Sequence, residues 1–233
     1  MKPKLISFKL CPFVQRSVIA LLYKQVEYDI DYIDLADPPA WFVKLSPLKK
    51  VPLLLIGDQV IFESAVIDEY IDEAYPRRLH PADLVQRAQN RSWIEFGNTC
   101  MGSAFDLSVK REQAEFDAAR AQLAERFDQL ETAISGTPYF NGADFSLVDV
   151  SYAPLFQRLA YLDELSPGIL DANRHPKIDA WQRQLLQLDA VQRSTVPEIK
   201  TLYLNMLHKR QGYIARFLDP QAHGEAPSEQ SVY

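Results

Sequence analysis

The hydrophobic pattern of this chain changes character once, around residues 75–81, and that change limits the folds open to it. Before it, short strand signals alternate with helical ones. After it, only helical patterns occur. Residues 4–8 form a short buried-strand signal, and residues 12–24 follow as a helix with Val14, Val18, Leu21 and Leu22 at helical spacing. Gln15, Arg16 and Lys24 fall between those apolar positions and read as the polar part of the helix. Val26-Glu27-Tyr28-Asp29-Ile30-Asp31-Tyr32-Ile33 alternates apolar and acidic residues, as a strand with one wet face does. Strand, helix and strand in that order suggest a βαβ unit with a right-handed crossover.

Residues 34–50 are broken by Asp37-Pro38-Pro39 and Ser46-Pro47, with Trp41-Phe42-Val43 as a short helical turn between them. Val51-Pro52-Leu53-Leu54-Leu55-Ile56 begins a strand with its proline at the edge. Gly57-Asp58 signals a hairpin, and Val60-Ile61-Phe62 returns. From Ser64, the residues Val66, Ile67, Tyr70, Ile71 and Ala74 line one helical face that ends before Pro76. Beyond the break, residues 82–107, 111–135, 146–163, 176–188 and 197–217 each read as helical. Ser146-Leu147-Val148-Asp149 has the form of a capping box with Asp in place of Glu, and Phe145 and Val150 are spaced as a hydrophobic staple. The expected architecture is α/β plus all-α. A βαβ–ββα domain spans 1–76, a linker 77–81, an all-helical domain 82–218 and a fraying tail 219–233.

Composition narrows the function. The 233 residues are 47% hydrophobic, enough to fill a core of this size. A net charge of −6 argues against a nucleic-acid partner. No apolar run is long enough to span a membrane. Met1-Lys2-Pro3-Lys4 leads straight into a strand rather than a secretory signal. Two cysteines are too few for a disulfide framework, so a reducing, cytoplasmic location is expected. His80, His175, His208 and His223 lack metal-ligand spacing, and no metal site is expected.

The chemistry centres on Cys11-Pro12-Phe13. Pro12 sits at the first helical position, where its missing N–H costs nothing. Cys11 is thereby placed at a helix N-terminus, where exposed N–H groups and the dipole favour a thiolate. A buried small hydrophobe fits the same spacing, and the two readings stand about level. Val14 occupies the position three after Cys11, so a dithiol mechanism is unavailable. Ser7 is a minor alternative as an activating hydroxyl, and Cys100 reads as core. Ser64 offers a hydroxyl and helix N–H groups to a carboxylate, and Glu63 an anion to an ammonium; equally, Ser64 caps its helix and Glu63 is a solvated charge. Lys49 and Lys50 precede Val51, as a cation for a carboxylate or as solvated loop lysines. Trp93, Phe96, Phe105 and Tyr161 fit either an acceptor pocket or core.

Taken together, these motifs resemble the cytosolic glutathione transferases. Cys11-Pro12-Phe13 resembles the active-site start of the omega-class, cysteine-type members. Pro39-Ala40-Trp41-Phe42-Val43-Lys44-Leu45-Ser46-Pro47 resembles the segment after their second strand. Glu63-Ser64-Ala65, Glu69-Tyr70 and Asp72-Glu73-Ala74-Tyr75-Pro76 are similar to their third helix, and the 145–149 stretch to the N-capping motif of the family's helical domain. The resemblance implies a thioredoxin-like first domain that binds glutathione and a helical domain that forms most of the second-substrate pocket. It also implies a cis Val51-Pro52 bond, with Val51 backbone groups pairing with the cysteinyl part of glutathione. Glu63 and Ser64 would hold the γ-glutamyl end, and Phe13 would lie beside the thiol. The family's glutathione-binding lysine shortly before the Trp-Phe pair is replaced by Pro38 or Pro39, which leaves Lys50 as its substitute.

The implied activity is a glutathione-dependent thiol transferase or reductase in which Cys11 alone is the nucleophile. Glutathione is a co-substrate, no cofactor is tightly bound, and the acceptor is a small disulfide, oxidised or electrophilic molecule. A homodimer is implied as well. An ordinary glutathione-conjugating transferase, and a non-catalytic regulatory or ligand-binding protein on the same fold, are the alternatives.

Overall fold

The computed structural model describes residues 1–218. The expected fraying tail, 219–233, lies outside the described residues. The first part runs β1 (Lys4–Ser7), α1 (Pro12–Tyr23), β2 (Asp29–Tyr32), α2 (Ala40–Leu45), β3 (Leu53–Ile56), β4 (Gln59–Phe62) and α3 (Ser64–Ala74). The four strands form one mixed sheet in the order β2-β1-β3-β4. β1 pairs parallel with β2 and antiparallel with β3, and β3 pairs antiparallel with β4. Successive side chains on a strand face opposite ways. Leu5 and Leu54 therefore join the large core that includes α1 and α3, while Ile6 and Leu53 pack on the other face against Phe42 of α2.

The β3–β4 hairpin closes through Gly57-Asp58, with Ile56 opposite Gln59. Gly57 has φ +59°, at the first central position, where a tight hairpin turn takes glycine. β2 is shorter than its alternation suggests. As an edge strand it pairs only with the four-residue β1, so its ladder ends where β1 ends.

The second part contains α4 (Leu84–Val109), α5 (Gln113–Ala133), α6 (Leu147–Leu165), α7 (Pro176–Leu186), the short α8 (Asp189–Gln192) and α9 (Ile199–Arg210), then a 3₁₀ turn at Tyr213–Phe217. The expected 176–188 and 197–217 helices are thus each shorter, with α8 between them and Gln211 in the left-handed region ending α9. α6 runs through the centre, packed against both α4 and α1. It is buried on nearly every face. α4 approaches it closely at Gly97, where a Cβ would lie 2.9 Å from the Tyr152 ring. The capping box at its start forms, with the Ser146 N–H donating to Asp149 at 2.8 Å. Among the described residues no helix is long and apolar enough to cross a membrane.

α1 and the break after α3 are both tied into the protein. Gln15, Arg16 and Lys24 are buried. α1 lies between the sheet with α3 on one side and α6 on the other, so its polar positions face protein too. Lys24 forms an ion pair with Asp72 at 2.9 Å, both side chains being at most 1% exposed. The same ammonium donates to the carbonyls of Tyr75, Pro76 and Arg77. The Leu79 and His80 N–H groups donate to Asp72. The segment between the two parts is therefore pinned at its start and end, and Leu79 and His80 are buried.

Candidate active site

Most side chains at the site come from the ends of elements, or the loops between them, in the first domain. Cys11 is the N-cap residue of α1, with Pro12 as the first helical residue. The Cys11 N–H donates to the Phe8 carbonyl at 3.1 Å, which fixes the turn between β1 and α1. The thiol is 6% exposed. Burial pushes it up from its ordinary range, against the N–H groups of Val14 and Phe13 and then the charges of Arg158 and Arg16. Those N–H groups point toward the sulfur without closing a cap hydrogen bond. The helix terminus acts in the direction of the thiolate expected at this helix start, and loss of water acts against it.

Next to this turn lies a cleft of about 280 Å³. It is lined by Phe13 of α1, Lys50, Val51 and Pro52 before β3, and Glu63 and Ser64 at the β4–α3 corner. These are the six binding residues singled out in the sequence. The structure brings all six to one cleft, although Cys11 itself does not line it. The Val51-Pro52 peptide is cis. Thr137-Pro138 is also cis, which nothing in the sequence indicated.

The β4–α3 corner is unusual. Glu63 has φ 70° and ψ 118°, a region that residues with a Cβ rarely occupy. Glu63 is the N-cap of α3, and its side chain closes no cap hydrogen bond. Ser64 is the first residue inside the helix, so it does not take the N-cap place that the alternative reading gave it. One turn on, Asp68 is buried, and the Ser17 hydroxyl donates to it at 2.6 Å. Burial pushes Asp68 up to about 7, with the Ser17 hydrogen bond and Arg16 acting in the opposite direction.

The loop before Val51 is held by Ser46. Its hydroxyl donates to the Lys50 carbonyl at 2.9 Å and accepts from the Lys50 N–H at 3.0 Å. Lys50 is exposed at the rim. Pro39 is the N-cap of α2.

Sequence reasoning missed Ser46, Leu48, Phe62 and Asn98, which also line the cleft. Asn98 is the contribution of α4. It accepts a hydrogen bond from Arg16 Nη1 at 2.5 Å and donates to Glu95 at 3.0 Å. An isolated Asn inside a long helix carries no sequence signal of this role. Leu48 is 53% exposed beside the lysine pair, and an exposed leucine in a breaker-rich loop was a signal that could have been used.

The remaining candidates lie elsewhere. Ser7 is 1% exposed and its hydroxyl donates to the Phe8 carbonyl, so it is spent within its own turn. Cys100 is fully buried in α4, and burial pushes its thiol up to about 12. Both cysteines are free. Trp93 packs against Phe96 and Phe140, and Tyr161 against Tyr203. Phe105 is 48% exposed with the Arg210 guanidinium over its ring.

A βαβ–ββα sheet unit with a cysteine at its first helix, a cis-proline edge and an uncapped third helix, followed by a helical bundle, invites comparison with known proteins. Residues 10–74 match the model of the glutathione S-transferase N-terminal domain, and residues 113–183 that of the C-terminal domain. The chain is 31% identical to glutathione S-transferase omega-1 of Sus scrofa, over 79% of this chain and 77% of that one. It is 34% identical to pyrimidodiazepine synthase of Drosophila melanogaster, over 81% and 78%. Among solved structures, a rice glutathione transferase in complex with glutathione superposes with a TM-score of 0.79 at 24% identity, covering 89% of this chain and 97% of that one. The two domain matches, in the order and at the places where the sheet unit and the bundle occur, establish that the chain belongs to the glutathione S-transferase family, with omega-class members among its relatives.

Proposed function

We propose that the protein is a glutathione-dependent thiol transferase or reductase in which Cys11 is the sole nucleophile. The observation that carries this reading is the placement of Cys11 at the start of α1, two residues before Phe13 on the wall of the cleft. The cleft suits glutathione along its length. The uncapped N–H groups of α3 and the Ser64 hydroxyl take the γ-glutamyl carboxylate. Glu63 takes the ammonium. Val51 backbone groups pair with the cysteinyl part, and Lys50 takes the glycine carboxylate. Phe13 and Pro52 supply the apolar wall.

The reaction runs in two exchanges. The Cys11 thiolate attacks the glutathione sulfur of a mixed disulfide. A Cys11–glutathione disulfide forms, the original S–S bond breaks, and the acceptor leaves as a thiolate that takes up a proton. A second glutathione thiolate then attacks the glutathione sulfur on Cys11. Glutathione disulfide leaves, and Cys11 is restored as a thiolate. The net result is that the mixed disulfide is reduced to the acceptor thiol, while one free glutathione joins the glutathionyl group the acceptor carried as glutathione disulfide. The proposal includes a reducing compartment, assembly as a homodimer, and the division of the chain into domains at 1–76 and 82–218.

Mass spectrometry of the protein treated with glutathione disulfide tests the reading. The expected result is one glutathione adduct on Cys11 that reduced glutathione removes, with Cys11→Ala losing thiol transfer but still retained on immobilised glutathione. An adduct only on Cys100, or undiminished thiol transfer by Cys11→Ala, overturns it. Conjugation of an aromatic electrophile by Cys11→Ala at the wild-type rate would replace it with the conjugating transferase.

A further inference from the structure

Among the described residues, Arg158 is a buried cation without a carboxylate partner, set against the turn that carries the nucleophile. From the middle of α6, in the helical domain, its side chain crosses into the first domain. Nη2 donates to the Leu10 carbonyl at 2.9 Å, and Nη1 donates to Gln15 Oε1 at 2.7 Å and to the Pro154 carbonyl at 2.9 Å. Leu10 is the residue immediately before Cys11, and Gln15 is one helical turn after it. Gln15 is itself held, donating to Gln157 at 2.9 Å and Ser194 at 3.0 Å. Arg158 is 6% exposed, and the groups that share its field are Tyr203, Cys11 and Tyr161, none of them an Asp or Glu. Burial of a charge is unfavourable unless an opposite charge offsets it, and neutral carbonyl and amide acceptors return only part of the lost hydration. A thiolate on Cys11 is the anion this arrangement lacks.

Arg16 makes an instructive contrast. It is also fully buried and also near Cys11. Its field, however, is shared with Asp68 of α3 and Glu95 of α4, which spend part of its charge. The charges acting on Cys11 are then Arg158 from α6 and Arg16 from α1, the latter offset by Asp68 and Glu95, and the phenols of Tyr161 and Tyr203 lie in the field of Arg158. Burial raises both phenols from their ordinary range, so they are neutral near pH 7. Lys9, on the same turn as Cys11, is closed into an exposed ion pair with Glu198 at 3.0 Å.

We propose that Arg158 is a positioning residue for Cys11: its charge stabilises the Cys11 thiolate from the helical domain, and its fork fixes the Leu10–Cys11 backbone. The nucleophile belongs to one domain and its counter-ion to the other, so docking of the domains completes the reactive cysteine. This rests on the reading of Cys11 as the nucleophile.

The test is the pH dependence of Cys11 alkylation by iodoacetamide, followed peptide by peptide, with Cys100 as an unreactive internal control. No glutathione or acceptor is present, so a failure of thiol transfer overturns the proposed function without touching this result. Arg158→Gln is expected to raise the midpoint by about one pH unit or more and to slow Cys11 alkylation at pH 7 about tenfold. Arg158→Lys, which keeps the charge but not the fork, is expected to shift it by less than about half a unit. A wild-type midpoint in Arg158→Gln overturns the proposal, because a merely structural arginine would change stability and not the titration. Should the Gln variant fail to fold, Arg158→Met, uncharged and of similar length, decides in its place: a midpoint raised by about one unit supports the proposal, and a wild-type midpoint overturns it.

Discussion

Two helices of this protein begin in opposite ways. α6 starts with its own polar groups closed. Asp149 Oδ2 accepts from the Ser146 N–H at 2.8 Å and from the Ser146 hydroxyl at 2.7 Å, while Oδ1 accepts from the Phe140 N–H at 3.0 Å and Trp181 Nε1 at 2.7 Å. One carboxylate therefore ties the helix start to the preceding loop and to α7. α3 starts with no side-chain cap, a backbone at φ 70° in Glu63, and a cleft in front of it. The N–H groups at a helix start have to be satisfied by something. Where the protein satisfies them itself, the terminus supports the fold. Where it leaves them open beside a cleft, the terminus is available to an anion, and the unfavourable backbone at Glu63 is the local cost.

The sharpest way to break this contrast is at α6. Asp149→Ala removes the cap, worth about 1 kcal/mol, and leaves buried donors at a further 1–3 kcal/mol each, so a loss of about 3 kcal/mol or more in unfolding free energy is expected. Urea denaturation measures it. A loss below about 1 kcal/mol would show that the closed terminus contributes no more than an ordinary cap.

The matching change at α3 reads out differently. Ser64→Ala is expected to alter stability by less than about 0.5 kcal/mol and to weaken glutathione binding by about 1 kcal/mol, roughly fivefold. Calorimetric titration with glutathione alongside the same urea experiment separates the two. Lost stability with unchanged affinity would make Ser64 a structural residue like Ser146.

The smallest effect concerns pH. Asp68, one turn into α3, has its folded-state value raised to about 7 by burial. Between about pH 4 and 7 the folded chain retains a proton that the unfolded chain releases, so stability falls as pH rises through that window and levels off above it. Asp68→Asn is expected to flatten this slope, measured as unfolding free energy at pH 5, 6 and 7.5. An unchanged slope would assign it to another group.

Local signals in the chain carried a good deal of this. The order of the strands and helices follows from hydrophobic period and breakers, and the capping box at Ser146-Asp149 was visible because both partners lie within four residues. Cys11, Phe13, Lys50, Val51, Pro52, Glu63 and Ser64 sit beside breakers or at helix starts, where residue type and backbone role are read together. Asn98, Arg158 and Gln15 were not legible as parts of the site. Their role depends on contacts between residues 82 to 179 positions apart in the chain. The reactivity of Cys11 was legible only in part. Position at a helix terminus can be read from Pro12 and the apolar spacing, but the burial that pushes its thiol up comes from packing.

What the sequence determined by itself was the succession of elements, the helix start at Cys11 and the capped start of α6, because each depends on a few neighbouring residues. Tertiary structure alone decided what covers the other side of α1. A helical period tells which face is apolar; it does not tell whether the polar face meets water or a second domain. Here it meets α6, and Gln15 and Arg16 become buried acceptors and cations, with Arg158 reaching across to the residue before Cys11.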